Sequence, residues 1–392
     1  MNASSRPWGH LPVLGSSMTH SRDVLTLNVG SATVKAAYYA ADAHGALITP
    51  AARAKISVLP EDADDGRSAD RWLSQLLGRL PAGAGQPSRV AHRVVHGATR
   101  PGPAVVTDAL MAELSALAPL APLHQPPALR LIDAARHRWP STPQVAAFDT
   151  SWHATLAPWA RRLPLPTSLH AAGVMRYGFH GLAFASALRQ LAALAPELAL
   201  ARVVLVHLGG GSSLCAVAEG RSVDTTMGLT PLDGVPMATR SGTLDPGVVL
   251  YLAQTLKMTL PQIEHLLWRE SGLRGLSGGT GDMRELLADP GPDAELTREQ
   301  YAIRVAQAIT AMATSLGGVD AVVFSGGVGE GAAPIRSRVA GRLHWTGLRL
   351  DATANSAGAA RIHSPDSAFA AFVVRADEEW ELALAAMARN EA

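Results

Sequence analysis

Two glycine–serine loops contain the residue types that bind phosphate groups. The first has the sequence NVGSATVK (Asn28 to Lys35) and offers an amide, two hydroxyls and an ammonium. The second, His207 to Ser213, has three glycines and two serines. Because glycine lets the backbone approach a ligand closely, consecutive N–H groups can point at phosphate oxygens. Each loop alone is equally consistent with a tight β-hairpin, since apolar runs flank both.

Other phosphate and nucleotide motifs fit the sequence less well. A Walker A loop opens a helix with Gly-Lys-Ser/Thr, whereas both loops lead into apolar, strand-like runs. The segment Gly327 to Ala332 follows a strand-like run and matches G-x-G-x-x-A of NAD-binding proteins, with Asp351 downstream. Only about 60 residues follow it, too few for the rest of a dinucleotide-binding sheet. A dehydrogenase remains an alternative that would require tight NAD binding.

Arg93 is a candidate ligand for a small carboxylate. It lies in the β-rich run SRVAHRVVH, where alternation puts Arg93 and Val95 on one face and His92 and His96 on the other. A cation beside a small apolar group suits a short-chain carboxylate. The two histidines are four residues apart, as in a helical zinc motif, but the glutamate of H-E-x-x-H is missing and a strand needs no metal.

The elements that would position these residues alternate between strands and helices, which indicates an α/β protein. Val24 to Ala41 is typical of a strand, a tight turn and a second strand, and Ala201 to Glu219 repeats that pattern about half a chain later. The repeat suggests a duplicated domain with one hairpin in each half. Further strands are predicted at residues 88–96, 144–148 and 320–327, and helices at 107–118, 128–137, 261–270, 297–316 and 378–390.

Composition limits the classes of function. A chain of 392 residues with 47% hydrophobic and 17% charged residues favours a globular protein of two domains. The formal net charge is +1 without a basic run, so we expect neither a nucleic-acid nor a membrane partner. A single cysteine, Cys215, allows no internal disulfide and fits the cytoplasm. The first residues lack the apolar core of a signal peptide, and charges interrupt the apolar stretch Ala187 to Val206.

Taken together, the motifs resemble those of the acetate kinase family. The resemblance runs from about Asp23 to Leu384 through ten ordered segments: NVGSATVK, AHRVVHG, APLHQPP, AFDTSWHATL, YGFHG, HLGGGSS, TPLDGVPMATRSGTLDP, SGGTGDMRE, FSGGVGE and DEE. It implies a duplicated actin-like ATPase (ribonuclease H-like) fold, with two domains around a central cleft. We expect a tail at residues 1–22, one domain at 23–149 with a helix at 380–392 packed back on it, and a second domain with the nucleotide site at 150–379.

The same resemblance implies an activity and its participants. Family members transfer phosphate reversibly from ATP, the co-substrate, to acetate by direct in-line attack, with Mg²⁺ or Mn²⁺. Dimers are usual in the family, so a homodimer is expected. Propionate or butyrate kinase activity is an alternative, because one methylene in an apolar pocket discriminates by only about 1–3 kcal/mol. From another class, a nucleotide-binding protein without catalysis remains open, although such a protein would not need Arg93 and Arg240.

The resemblance also assigns roles to individual residues. The catalytic set is Asp149, Arg93, Arg240 and His180, and the metal set is Asn28 and Glu378, with Glu379 open as an alternative in that acidic run. The alkyl group is expected against Val95, Leu123, Phe179 and Pro231. ATP is expected to contact Ser31, Thr33, Lys35, His207, Gly209, Gly211, Asp282, Met283, Arg284, Gly326, Gly327 and Gly329, although a core position is an alternative for Met283.

Several positions depart from the family pattern. Ala98 stands where glycine is usual and Gln125 where asparagine is usual. Phe184 replaces a histidine after the YGFHG motif, where it could alter the alkyl pocket or only pack. The charged set is intact, so we expect these changes to affect substrate preference and rate more than the class of reaction.

Overall fold

The computed structural model describes residues 23–30, 33–42, 47, 50–58 and 68–388. The chain divides into two compact units. Unit 1 contains the described residues up to Ala154 and those from Asp377 onward, and unit 2 is Thr155–Ala376. The first boundary falls after Asp149 because the turn that follows stays with unit 1, where the Thr150 hydroxyl accepts the N–H of Gly97 (3.1 Å). The expected tail at residues 1–22 lies outside the described residues.

Unit 1 is built on a mixed sheet with the order β3-β2-β1-β4-β6-β5. The hairpin β1–β2 is antiparallel, while β4 lies parallel to β1 and β6 parallel to β4. The carboxyl ends of β1, β4 and β6 therefore meet at one edge of the sheet. The strands are β1 (Val24–Val29), β2 (Thr33–Tyr39), β3 (Ala52–Ser57), β4 (Arg89–Val94), β5 (Ala104–Val105) and β6 (Gln144–Phe148).

Unit 2 repeats this topology in a five-stranded sheet with the order β11-β10-β7-β8-β9. Here β7 and β8 form the antiparallel hairpin, β10 lies parallel to β7, and β11 parallel to β10. The pattern matches β1, β2, β4 and β6 strand for strand, so the duplication expected from the two hairpins is present. The strands are β7 (Val203–Leu208), β8 (Ser212–Ala218), β9 (Arg221–Thr225), β10 (Ala321–Ser325) and β11 (Ala370–Val373).

Helices cover the sheet of unit 1 and supply part of its core. α15 packs on β1 and β4, and it begins where the Asp377 carboxylate accepts the N–H of Trp380 (3.0 Å). This cap puts Glu378 and Glu379 in the first turn. The helices of unit 1 are α1 (Ser68–Leu77), α2 (Asp108–Ala116), α3 (Gln125–Arg138) and α15 (Glu378–Met387).

In unit 2 the longest helix, α11, packs across β7, β8 and β9. A π-helical turn, Leu266–Glu270, interrupts the helical chain after α8. The helices of unit 2 are α4 (Pro158–Arg161), α5 (Thr167–Ala171), α6 (Gly181–Leu194), α7 (Pro246–Gln254), α8 (Leu260–His265), α9 (Gly272–Ser277), α10 (Met283–Ala288), α11 (Pro292–Leu316), α12 (Gly326–Gly331), α13 (Ala333–Arg342) and α14 (Ala352–Ser356).

The first or last residues of several helices and strands differ from the sequence-based predictions. α11 begins at Pro292 and α3 at Gln125, each several residues early, because proline is well tolerated in a first helical turn. The segment predicted as one helix at 261–270 is α8 followed by the π turn. β4 ends at Val94, so the alternation that put Val95 on the face of Arg93 stops one residue short.

Ala98 lies in the left-handed region of backbone space, with φ of 55°. An L-residue pays about 1–2 kcal/mol there, and glycine does not. We therefore expect Ala98→Gly to raise the free energy of unfolding by about 1 kcal/mol in chemical denaturation. Ala112→Gly, on the exposed face of α2, is the control and should lower it by about 1 kcal/mol. Equal destabilisation by both variants would contradict the backbone argument.

Candidate active site

Arg93 and Asp149 form a buried ion pair at the carboxyl edge of the unit 1 sheet. Arg93 is the second-to-last residue of β4, and Asp149 directly follows the neighbouring strand β6. Two parallel hydrogen bonds join them, from Nε to Oδ1 (3.1 Å) and from Nη2 to Oδ2 (2.7 Å). Such a fork fixes the plane of the guanidinium as well as its position.

Asn28 and Glu378 complete the surroundings of Arg93. The Arg93 Nη1 group donates to Glu378 Oε2 (3.3 Å) and to Asn28 Oδ1 (3.3 Å), and Asn28 Nδ2 donates to the same Glu378 oxygen (2.8 Å). Burial alone would lower the pKa of Arg93, but Asp149 and then Glu378 hold that pKa above its ordinary value. The guanidinium is therefore a permanent, oriented positive charge.

The structure separates the two adjacent glutamates of α15. Glu378 reaches Arg93, and its side chain is 12% exposed. Glu379 is buried and pairs with Lys35 (3.5 Å) and Arg53 (3.5 Å), while its Oε1 accepts a second hydrogen bond from Asn28 (2.9 Å). Glu378 is consequently the glutamate that belongs to the Arg93 cluster, and Lys35 is anchored to Glu379 with its side chain 42% exposed.

The carboxylate and amide oxygens of this cluster are of the kind that magnesium binds. Mg²⁺ takes one or two protein carboxylates and keeps most of its waters or binds substrate phosphates. Glu378 and Asp149 lie on either side of one guanidinium, and Glu378, whose side chain is partly exposed, is the carboxylate that could bind the ion. No group of three or more potential metal-ligating side chains occurs in the described part of the chain.

His92 is a buried residue of β4 in the sheet of unit 1. Its Nε2 lies 2.7 Å from Gln144 Oε1. Burial lowers the pKa of His92 to about 4, so the ring is neutral at pH 7. Gln125, which replaces the usual asparagine, accepts the N–H of His96 (3.1 Å) and donates to its carbonyl (2.9 Å), and thus fixes the chain after β4.

A second cluster forms in unit 2 around Gly211, at the turn of the β7–β8 hairpin. A Cβ atom at Gly211 would lie 3.1 Å from His180 Nε2 and 3.3 Å from Arg240 Nη2. A side chain at residue 211 would therefore crowd both groups by a few tenths of an ångström, and glycine suits this close approach. Arg240 is buried, and its Nη1 donates to the carbonyl of Pro231 (2.9 Å).

His180 is held in a strained position before α6. Its φ of 58° is left-handed, which a non-glycine residue adopts rarely and often at functional sites. The ring is fixed by a 2.8 Å hydrogen bond between Nδ1 and Ser213 Oγ and by the His207 ring, whose centroid is 4.9 Å away. His207 in turn lies 3.1 Å from Ser325 Oγ, at the end of β10.

A glycine turn between β10 and α12 adjoins the same hairpin. A Cβ at Gly209 would lie 3.8 Å from the amide nitrogen of Gly327. The Glu330 carboxylate accepts the N–H of Gly326 (2.9 Å) and holds the turn closed on itself. Gly326, Gly327 and Gly329 all fall in α12, so that helix begins beside the hairpin loop.

The remaining predicted residues are distributed as follows. Asp282 caps α10 and pairs with the exposed Arg284, whereas Met283 lies in the hydrophobic core of unit 2, the alternative considered for it. Thr33 opens β2, and Ser31 lies outside the described residues. The expected alkyl contacts are divided between the units: Val95 and Leu123 belong to unit 1, and Phe179 and Pro231 to unit 2. Phe184 is fully buried in α6.

Sequence reasoning missed several side chains that support the two clusters. Ser325, which contacts His207, lies in the FSGGVGE segment but was assigned no role. Trp268, whose ring centroid lies 5.7 Å from Arg240 Cζ, belongs to no motif used above. The spacing of residues in the sequence does not predict these contacts, because each joins two side chains that are distant in sequence.

A family model of the acetokinase family matches residues 82–384. The chain belongs to the acetokinase family. This membership, the mixed α/β architecture and the repeated sheet topology confirm the expected duplicated actin-like fold. In the described part of this family member, no helix is long and apolar enough to cross a membrane.

Relatives and solved structures agree over nearly the whole chain. The acetate kinase of Methylocella silvestris is 40% identical over 93% of this chain and 96% of its own length, and one from Rhodopseudomonas palustris is 42% identical over 92% and 96%. A propionate kinase structure from Francisella tularensis superposes with a TM-score of 0.79 at 29% identity, covering 93% and 99%. The acetate kinase structure of Porphyromonas gingivalis gives 0.78 at 28%, with the same coverages.

Proposed function

We propose that this protein is an acetate kinase, which uses Mg-ATP to convert acetate reversibly into acetyl phosphate. The observation that carries the proposal is Arg93, a buried guanidinium oriented by Asp149 and Glu378 in a chain about 40% identical to acetate kinases. Both curated relatives described above are named acetate kinases, so we favour acetate over propionate or butyrate. A cytoplasmic location, expected from the single cysteine, stays a prediction.

The chemistry of the substrate explains why arginines matter more than a base. A carboxylic acid with a pKa near that of glutamate, about 4.3, is already ionised at pH 7. One carboxylate oxygen attacks the γ-phosphorus of ATP, the bond to the bridging oxygen breaks, and ADP departs with the electron pair. Two anions must be brought together and kept in line, which requires positive charge and positioning rather than proton removal.

Each cluster supplies part of that requirement. We assign Arg93 to the carboxylate of acetate and Asp149 to orienting Arg93. Arg240 and His180 are assigned to the transferring phosphoryl group, because both adjoin the Gly211 turn. Glu378 with Asn28 would hold Mg²⁺, which neutralises phosphate charge when bound. We assign three further groups of residues to ATP. They are the glycine turn (Gly326, Gly327 and Gly329), the loop residues (Ser31, Thr33, Lys35, His207 and Gly209) and the pair Asp282 and Arg284.

Purified protein with Mg-ATP should form an acyl phosphate, trapped with hydroxylamine as the hydroxamate, and acetate should give a higher kcat/KM than propionate or butyrate. Arg93→Ala and Arg240→Ala should each lower kcat on the order of a thousandfold, because an arginine that neutralises a phosphoryl transition state contributes that much. ATP affinity should change little.

The control for these variants is Arg136→Ala, which removes a guanidinium of α3 that pairs with Asp108 outside both clusters and should keep most of kcat. Absence of acyl phosphate with all three acids would exclude a carboxylate kinase. A near-normal rate in either cluster variant would show that the arginine roles are wrong.

We also propose that a second copy of the chain packs on α7. This helix has the apolar sequence PGVVLYLAQ, yet none of its residues is buried, and Tyr251 is 55% exposed. Val248 and Tyr251, three residues apart, share one face. A long apolar face on a helix is typical of an interface between subunits.

In analytical ultracentrifugation the protein should sediment as a dimer, and Val248→Asp combined with Tyr251→Ser should shift it to the monomer. Trp345→Ser, at an exposed aromatic residue that is not part of α7, is the control and should leave the dimer intact. A monomeric parent protein, or a dimer that survives the α7 changes, would contradict this interface.

A further inference from the structure

We infer that Trp268 is a positioning residue that orients Arg240 for phosphoryl transfer. The inference rests on the role proposed above for Arg240. Trp268 is buried, and its ring centroid lies 5.7 Å from Arg240 Cζ. A guanidinium within about 6 Å of an indole face is attracted by the negative charge of that face, and Trp provides the strongest such contact of the aromatic residues.

The guanidinium is held on two sides by these contacts. Its Nη1 donates to the Pro231 carbonyl (2.9 Å), and its Nη2 lies against the Gly211 turn. The indole ring adds a partner that accepts no conventional hydrogen bond. This contact therefore restricts the position of the guanidinium without using an N–H group that could bind a phosphoryl oxygen.

The backbone fixes Trp268 to the segment that carries Arg240. The Thr239 hydroxyl donates to the Trp268 carbonyl (2.9 Å), and the N–H of Ser241 donates to the Leu267 carbonyl (3.1 Å). The N–H of Ser271 donates to the Thr239 carbonyl (3.0 Å). Residues on both sides of Arg240 are thus joined to residues on both sides of Trp268.

A π-helical turn puts Trp268 in this place. Leu266–Glu270 is π-helical, a rare conformation that is frequent at functional sites. The next element starts at Gly272, whose φ is 61° and where a Cβ would lie 2.1 Å from the Met237 carbonyl oxygen and 2.5 Å from that of Arg240. The close approach of the two segments depends on that glycine, and the wider turn before it directs the indole toward the guanidinium.

Fluorination of Trp268 tests the electrostatic contact with little change of shape. Site-specific replacement by mono-, di- and tetrafluorotryptophan progressively removes negative charge from the ring face. We expect log kcat to fall steadily with each fluorine, by about tenfold in total, since a desolvated cation–π contact can contribute that much. KM for ATP should stay within about twofold, because Arg240 is assigned to the transferring group.

The same replacements at Trp345, which is 77% exposed, form the control and should leave kcat unchanged. Trp268→Phe should retain more of kcat than Trp268→Leu, with both variants folded by circular dichroism. A fluorine series with constant kcat would overturn the inference and leave Trp268 a packing residue. If the parent protein makes no acyl phosphate, the proposed function fails before Trp268 is tested, so the two failures are distinguishable.

Discussion

The buried guanidinium of Arg93 is the constraint around which unit 1 is organised. A charge removed from water is costly unless it is paired and hydrogen-bonded, and removing one partner of a buried pair typically costs about 3–5 kcal/mol. Asp149, Glu378 and Asn28 provide those partners from three separate elements. The carboxyl ends of β1, β4 and β6 and the cap of α15 must therefore assemble together for the charge to be tolerated.

The duplicated topology supplies such an assembly twice. In each unit a hairpin adjoins a parallel strand, and the candidate site residues lie at the carboxyl ends of those strands: Asn28, Arg93 and Asp149 in unit 1, His207 and Ser325 in unit 2. The two copies then diverge. Unit 1 holds a buried ion network, whereas unit 2 combines glycine turns with histidines and one arginine. The duplicated sheet topology thus puts residues at the carboxyl edge of the sheet in both units. Different residue types at those two edges give the units different chemical groups.

Local sequence patterns predicted the hairpins and the placement of Arg93 and Asp149, because strand periodicity and turn residues are local properties. The sequence did not distinguish Glu378 from Glu379, since both lie in one helical turn and only packing of α15 on β1 decides which reaches Arg93. Trp268 was missed for a different reason, because a π turn leaves no short-range signal in the sequence. Beyond the end of β4 at Val94, the N–H of His96 is bound by Gln125 of α3, a contact that strand alternation does not predict.

The central role assigned to Asp149 is to act through Arg93 and not as a base. A double-variant comparison of kcat with Arg93→Gln, Asp149→Asn and the combined change tests it most directly, because residues that act as one unit are not additive. If the claim holds, the combined variant will have a kcat within about threefold of Arg93→Gln alone. Losses that multiply in the combined variant would contradict it and would give Asp149 an independent chemical role.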